Sequence, residues 1–275
     1  MTDCAYCGRN ENPLTREHLF PRALDQLIVT PAKESHFFSE RIPGKFVLAE
    51  LTVKDVCASC NNVVLSELDT YLTEWVRKYA TRYFSYGESV VVSYDYDKML
   101  RWFLKLTFNF ARVNPDFSGD VDLLRRFRGY ILGHATRPAR IRLSAGLVYS
   151  FVPTTSEELS LMGSEPVHPD AIRSSIVATN YKSQHKFSVR RVSLGAFAFL
   201  LLVFEPATPA SQMNELGGLL DSKFLGFRVL KPEDTSRKLT ASSESTMDAL
   251  RDYMRLQGIP YEDFYKKFQV GSRRA

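Results

Sequence analysis

The chain has 275 residues, 44% hydrophobic and 24% charged, the balance of a globular protein with one or two domains. Its longest apolar run, Leu194 to Phe204, is far short of the ~20 residues of a membrane-spanning helix, so no membrane association is expected. The net charge of +5 permits a polyanionic partner, and the N-terminus shows no basic-then-apolar leader, which makes a cytoplasmic location the expectation.

In chain order, residues 1–13 read as a polar loop carrying a first knuckle, Cys4-Ala-Tyr-Cys7-Gly8, where glycine suits the tight backbone. Leu14 to Phe20 reads as a short strand ended by Pro21. Arg22 to Ile28 reads as a helical turn, followed by a polar loop holding Lys33, His36, Arg41 and Lys45. Phe46 to Val53 is a second strand and Cys57-Ala-Ser-Cys60 a second knuckle. From Asn61 a helix should run through Tyr83, with Leu65, Leu68, Leu72, Trp75, Val76 and Tyr79 near helical spacing.

Further on, Glu88 to Tyr96 alternates as a strand, and Met99 to Val113 and Val121 to Leu132 are helices. Ile141 to Val152 is a strand and Pro153 to Pro169 a loop. Ser175 to Tyr181, Phe187 to Val192 and Leu194 to Phe204 are strands, Met213 to Leu220 a helix and Phe224 to Leu230 a strand. Residues 231–245 read as a polar linker before terminal helices at Thr246 to Leu256 and Tyr261 to Phe268. The expected fold class is α+β, with a zinc-stapled unit at 1–80. A mixed α+β domain at 81–275 would serve nucleic-acid binding, partner docking or regulation.

All four cysteines lie in the first 60 residues as two Cys-x-x-Cys pairs, a pattern that in a reducing compartment favours metal over disulfide. Cys4, Cys7, Cys57 and Cys60 can close a tetrahedral zinc site with no open position, and therefore a structural one. The 49 residues between Cys7 and Cys57 need a staple, and structural zinc supplies ~10–16 kcal/mol against a closure cost that grows slowly with length.

Glu17 and His18 lie between the knuckles. Neighbours on a strand point to opposite sides, so they can flank a phosphate but not share one atom. Alone, such a pair is ordinarily an exposed polar dipeptide. Asn61 opens the helix after Cys60, where its amide suits an N-cap as well as it suits a metal. Asp69 lies roughly 12 Å further along the helix and cannot share an ion with Asn61, while Asn62 faces about 100° away.

Between Arg101 and Arg142 nine basic residues face three acidic ones, a local +6. Arg125, Arg126 and Arg128 are the candidates for phosphate contacts, the alternative being a solvated helix face. His134, His168 and His185 have no ligand-like partners in the sequence, and Trp102, Phe103, Phe108 and Phe110 read as helical core.

The order C-x-x-C, Glu-His-Leu-Phe-Pro, strand, C-x-x-C-Asn, helix resembles the HNH (ββα-metal) endonucleases, in particular the zinc-stapled branch with recombination endonuclease VII and the HNH type 5 bacterial proteins. The resemblance covers about residues 4–75. It implies a metal-dependent endonuclease acting on DNA, with RNA also open, in settings such as restriction or phage defence. By it, His18 matches the general base, Glu17 the acidic metal ligand and Asn61 the last metal position, holding Mg²⁺ or Mn²⁺. The family's middle Asn is replaced by Thr52. That departure supports the alternative of a non-catalytic zinc module binding nucleic acid or a protein partner.

Overall fold

Pro21 lacks an amide proton and holds the residue before it extended, and the first strand, β1 (Leu14–His18), stops just short of it. The structure is a computed structural model that describes residues 3–10, 13–28, 37–38, 46–47, 52–113, 118–162, 164, 166, 172–179, 187–223 and 226–245. Helix α1 (Arg22–Ile28) begins directly after Pro21, whose carbonyl accepts from the Leu24 amide at 2.8 Å. Strands β2 (Phe37–Phe38) and β3 (Phe46–Val47) form a small antiparallel pair.

The strand expected over Phe46 to Val53 is divided. Its first two residues pair with β2, and its last two belong to β4 (Thr52–Cys57), which runs antiparallel to β1. Buried Val53 and Val56 carry β4 into the first cysteine of the second knuckle. The register sets Glu17 opposite Val53 and His18 opposite Thr52, with an irregularity between Thr15 and Glu17. A π-helical segment, Cys60–Leu65, then runs into α2 (Ser66–Tyr79). Leu65, Leu68, Leu72, Trp75 and Val76 are buried, as their spacing predicts, and the helix ends four residues earlier than expected.

The remaining elements are β5 (Ser89–Ser93), α3 (Tyr96–Val113), α4 (Ser118–Arg125), α5 (Arg128–Ile131), β6 (Ile141–Tyr149), α6 (Ser156–Met162), β7 (Ile172–Thr179), β8 (Phe187–Leu194), β9 (Phe197–Phe204), α7 (Ala210–Lys223), β10 (Arg228–Val229) and β11 (Ser236–Ser245). The main sheet has the order β5-β11-β6-β9-β8-β7, with β10 also on β6. Every pairing is antiparallel except β11 with β6. The fold is mixed α+β.

Three expectations are corrected. The polar linker at 231–245 contains β11, an interior strand: Leu239 and Ala241 face inward at alternate positions, too weak an apolar signal to stand out. The loop at Pro153 to Pro169 contains α6, which opens with a capping box. There Glu158 accepts from the Thr155 amide at 3.0 Å and its own amide donates to Thr155 Oγ1 at 3.1 Å. The helix from Val121 to Leu132 is two helices, one ending at Arg125 and the other starting at Arg128, with a turn at Arg126-Phe127 between them. The two terminal helices, His168, His185 and loop residues Lys33, His36, Arg41 and Lys45 lie outside the described residues.

Helix α3 lies between the N-terminal hairpin and the sheet. Its Phe103 ring is 4.7 Å from Phe199 of β9, and Trp75 of α2 is 4.9 Å from Phe197. On its other side Phe108 meets Tyr6 of the first knuckle edge-to-face at 5.4 Å, and Phe110 meets Phe20 at 5.8 Å. One continuous cluster of buried side chains therefore runs from Cys4 to Ala241, across the boundary expected near residue 80.

Candidate functional site

The first knuckle turns on Gly8, whose φ of +71° is open to glycine and strained for other residues, and whose amide donates to the Cys4 carbonyl at 2.9 Å. The second knuckle leaves the end of β4 and enters the π-helical turn. Pairing of β1 with β4 brings the two together: the sulfurs of Cys4, Cys7, Cys57 and Cys60 all lie within 4.8 Å of one another, and all four thiols are free. A tetrahedral ion with Zn–S bonds of about 2.3 Å would set its sulfurs about 3.8 Å apart. The Cys7 and Cys57 sulfurs are separated by 3.8 Å. The Cys57 amide donates to Cys4 Sγ at 3.3 Å and the Cys60 amide to Cys57 Sγ at 3.5 Å.

Burial raises the Cys57 thiol to about 11 and pushes Cys60 above the ordinary thiol range. At Cys4 burial is outweighed by backbone hydrogen bonds from Cys57, Cys7 and Tyr6, which bring it down to about 7. Four sulfurs this close ionise together only around a cation. The cluster can hold a metal ion such as zinc.

Glu17 and His18 point to opposite sides of β1, as expected. His18 is half-buried, whereas Glu17 is 3% exposed. The Glu17 carboxylate meets the ammonium of Lys105, from α3, at 2.5 Å. Lys105 is fully buried and reaches Asp69 of α2 at 2.6 Å, and Asp69 also accepts from the Trp102 indole at 2.9 Å. The ammonium thus lies between two carboxylates. Burial works against its charge, but Asp69 and Glu17 outweigh it and raise the Lys105 pKa, while burial pushes the Glu17 carboxyl up against the pull of Lys105.

Asn61 does not cap its helix. Its amide nitrogen donates to Thr15 Oγ1 at 2.9 Å and to the Arg16 carbonyl at 3.0 Å, tying the helix start to β1 one residue before Glu17. These bonds use the amide N–H groups and leave Oδ1 out of them. The structure thus brings Asn61 to the backbone of the Glu17-His18 strand, and turns the Glu17 side chain inward to Lys105.

Lys105 and Asp69 were not legible as site residues. Distance from Asn61 along the helix removes Asp69 as its co-ligand, which is a different matter from meeting Glu17 through a lysine. The available signal was a single lysine within Trp102-Phe103-Leu104-Lys105-Leu106, a charge in an otherwise apolar helix run.

The basic segment is largely engaged within the protein. Arg112 donates to Asn109 Oδ1 at 2.7 Å, stacks over the Tyr6 and Phe108 rings at 5.1 and 4.3 Å, and lies 3.5 Å from Asp55. The Tyr6 hydroxyl donates to the same Asn109 oxygen at 2.6 Å, so the first knuckle is clamped to α3. Arg101 donates to the Ile131 carbonyl, Arg137 pairs with Asp97 at 2.6 Å, and Arg142 pairs with Asp221. Of the three expected phosphate contacts, Arg128 donates to the Ala5 carbonyl at 3.3 Å and Arg126 to the Phe204 carbonyl. Arg125 is 54% exposed and 3.7 Å from Asp122.

Compared with known proteins, the chain matches no family model, no curated protein and no solved structure. No described helix is long and apolar enough to cross a membrane.

Proposed function

We propose that the chain is a metal-dependent endonuclease of the HNH type that hydrolyses DNA phosphodiester bonds. The observation that carries this reading is the joining of an antiparallel hairpin, a four-thiol cluster and a helical segment whose second residue, Asn61, bonds back to the strand bearing Glu17-His18. Glu17 and Asn61 would hold Mg²⁺ or Mn²⁺, ions suited to a few protein oxygens and several waters. When bound, such an ion supplies Lewis-acid stabilisation of the scissile phosphate and the leaving oxygen. His18 accepts the proton of the attacking water. Thr52, across the hairpin from His18, stands at the family's middle Asn position.

The experiment is cleavage of supercoiled plasmid by the full chain with Mg²⁺, Mn²⁺ or EDTA. Nicked or linear product is expected with either ion and none with EDTA. Single-stranded and duplex RNA in the same assay decide between DNA and RNA, since phosphate contacts carry no base information.

The ion pair on Glu17 favours a second reading, a non-catalytic zinc module that binds nucleic acid or a protein. Intact plasmid under every metal condition, together with full zinc content, would establish it.

The arginines divide in the proposed DNA interface. Arg125→Gln should reduce the salt slope of duplex binding by about 0.9, the amount expected for one lost phosphate contact. Arg128→Gln should leave that slope alone and lower stability by ~1 kcal/mol through the lost bond to the knuckle. Titrations against salt and chemical denaturation read the two effects separately.

A further inference from the structure

We infer that Lys105 is a positioning residue for the candidate metal site, fixing Glu17 and with it the strand that presents His18. This rests on the nuclease reading above. Lys105 belongs to α3, far in sequence from the hairpin, yet it is fully buried with its ammonium 2.5 Å from Glu17 and 2.6 Å from Asp69. A lysine is rarely this buried unless it is paired, and here it is paired twice. Asp69 is itself held by the Trp102 indole at 2.9 Å, so the ammonium has a fixed backstop.

The contact to Glu17 is made through Oε1, so the ammonium restrains the carboxylate and limits its side-chain freedom. Adjacent residues on a strand face opposite ways, so anchoring Glu17 inward also sets the outward aim of His18. A displacement of about 1 Å in such a group costs on the order of 10²-fold in rate. Without Lys105, the buried Glu17 carboxylate and the partly exposed Asp69 carboxylate would face each other with no cation between them, and the side chains would have to turn apart.

The test compares the full-length wild type with Lys105→Met and Lys105→Gln. Selective ¹³C labelling of histidine follows broadening of the His18 ring signal by Mn²⁺, and plasmid cleavage follows the apparent constant for Mg²⁺. Both variants are expected to need at least tenfold more Mn²⁺ to broaden His18, and at least tenfold more Mg²⁺ for half-maximal cleavage. Zinc content and metal-free DNA affinity should stay as in the wild type. Lys105→Gln keeps a hydrogen-bond donor and near-native volume, so it decides the matter if Lys105→Met does not fold with full zinc.

A lower melting temperature with unchanged Mn²⁺ and Mg²⁺ constants would overturn the inference, because Lys105 would then be merely structural. Tighter Mn²⁺ binding would also overturn it, showing that the ammonium competes with the ion for Glu17. A wild type whose His18 signal ignores Mn²⁺ and which leaves DNA intact overturns the nuclease reading itself, and this inference with it.

Discussion

Cys57→Ser is expected to abolish zinc binding and unfold the protein well beyond the hairpin. A structural zinc site contributes ~10–16 kcal/mol of apparent folding energy, against a typical total stability of ~5–15 kcal/mol. Cys57 ends β4 and supplies one of the four clustered sulfurs, so the change removes one ligand from the site that joins the knuckles. The damage should not stop at residue 75. Tyr6 packs on Phe108 and bonds to Asn109, and Phe20 lies 6.4 Å from Trp102, so the hairpin forms one wall of the α3 core. Elemental analysis should find one zinc per wild-type chain and none in the variant. Loss of the near-ultraviolet circular dichroism of the two buried tryptophans, Trp75 and Trp102, should accompany loss of the metal, and a strong chelator at raised temperature should reproduce both. A variant that loses zinc but keeps that tryptophan signal would mean that the sheet and α3 fold without the hairpin.

The second large effect is expected at His18. His18→Ala should lower plasmid cleavage by 10²–10⁴-fold, the range for loss of a general base. It should change stability little, because the side chain is only half-buried and lies on the face of β1 opposite the Glu17–Lys105 pair. Zinc content should be unchanged. Retention of more than about a tenth of wild-type activity would remove His18 from the base role. Steady-state cleavage beside thermal denaturation separates this from a folding defect.

The thiol cluster was legible because its signal is local: two short cysteine pairs suffice, whatever the fold does between them. Helix α2 was legible for the same reason, its buried residues recurring at helical spacing. Strand β11 was not, since Leu239 and Ala241 give it a weak buried apolar signal and its serines and threonines read as linker. Helix α6 left a readable mark, Thr155 followed three positions later by Glu158, but its short apolar content hid it among loop residues. The contacts of Lys105 depend on three segments distant in sequence, β1, α2 and α3. No pattern within one segment announces that a lysine will meet Glu17. The arginines show the converse: composition exposed a local excess of charge, and tertiary structure directed most of it to carbonyls, carboxylates and rings inside the protein.

The parallel pairing of β11 with β6 has a consequence for synthesis. β11 fills the place between β5 and β6, so the first strand of the sheet has no neighbour on that side until residues 236–245 arrive. About 140 residues separate β5 from β11, which at ~5–20 residues per second is on the order of 7–30 s of translation. During that interval β5 and much of β6 present open backbone edges, the kind that pair with other chains. A nascent chain stalled or cut before residue 236 would keep both edges open to pairing with other chains.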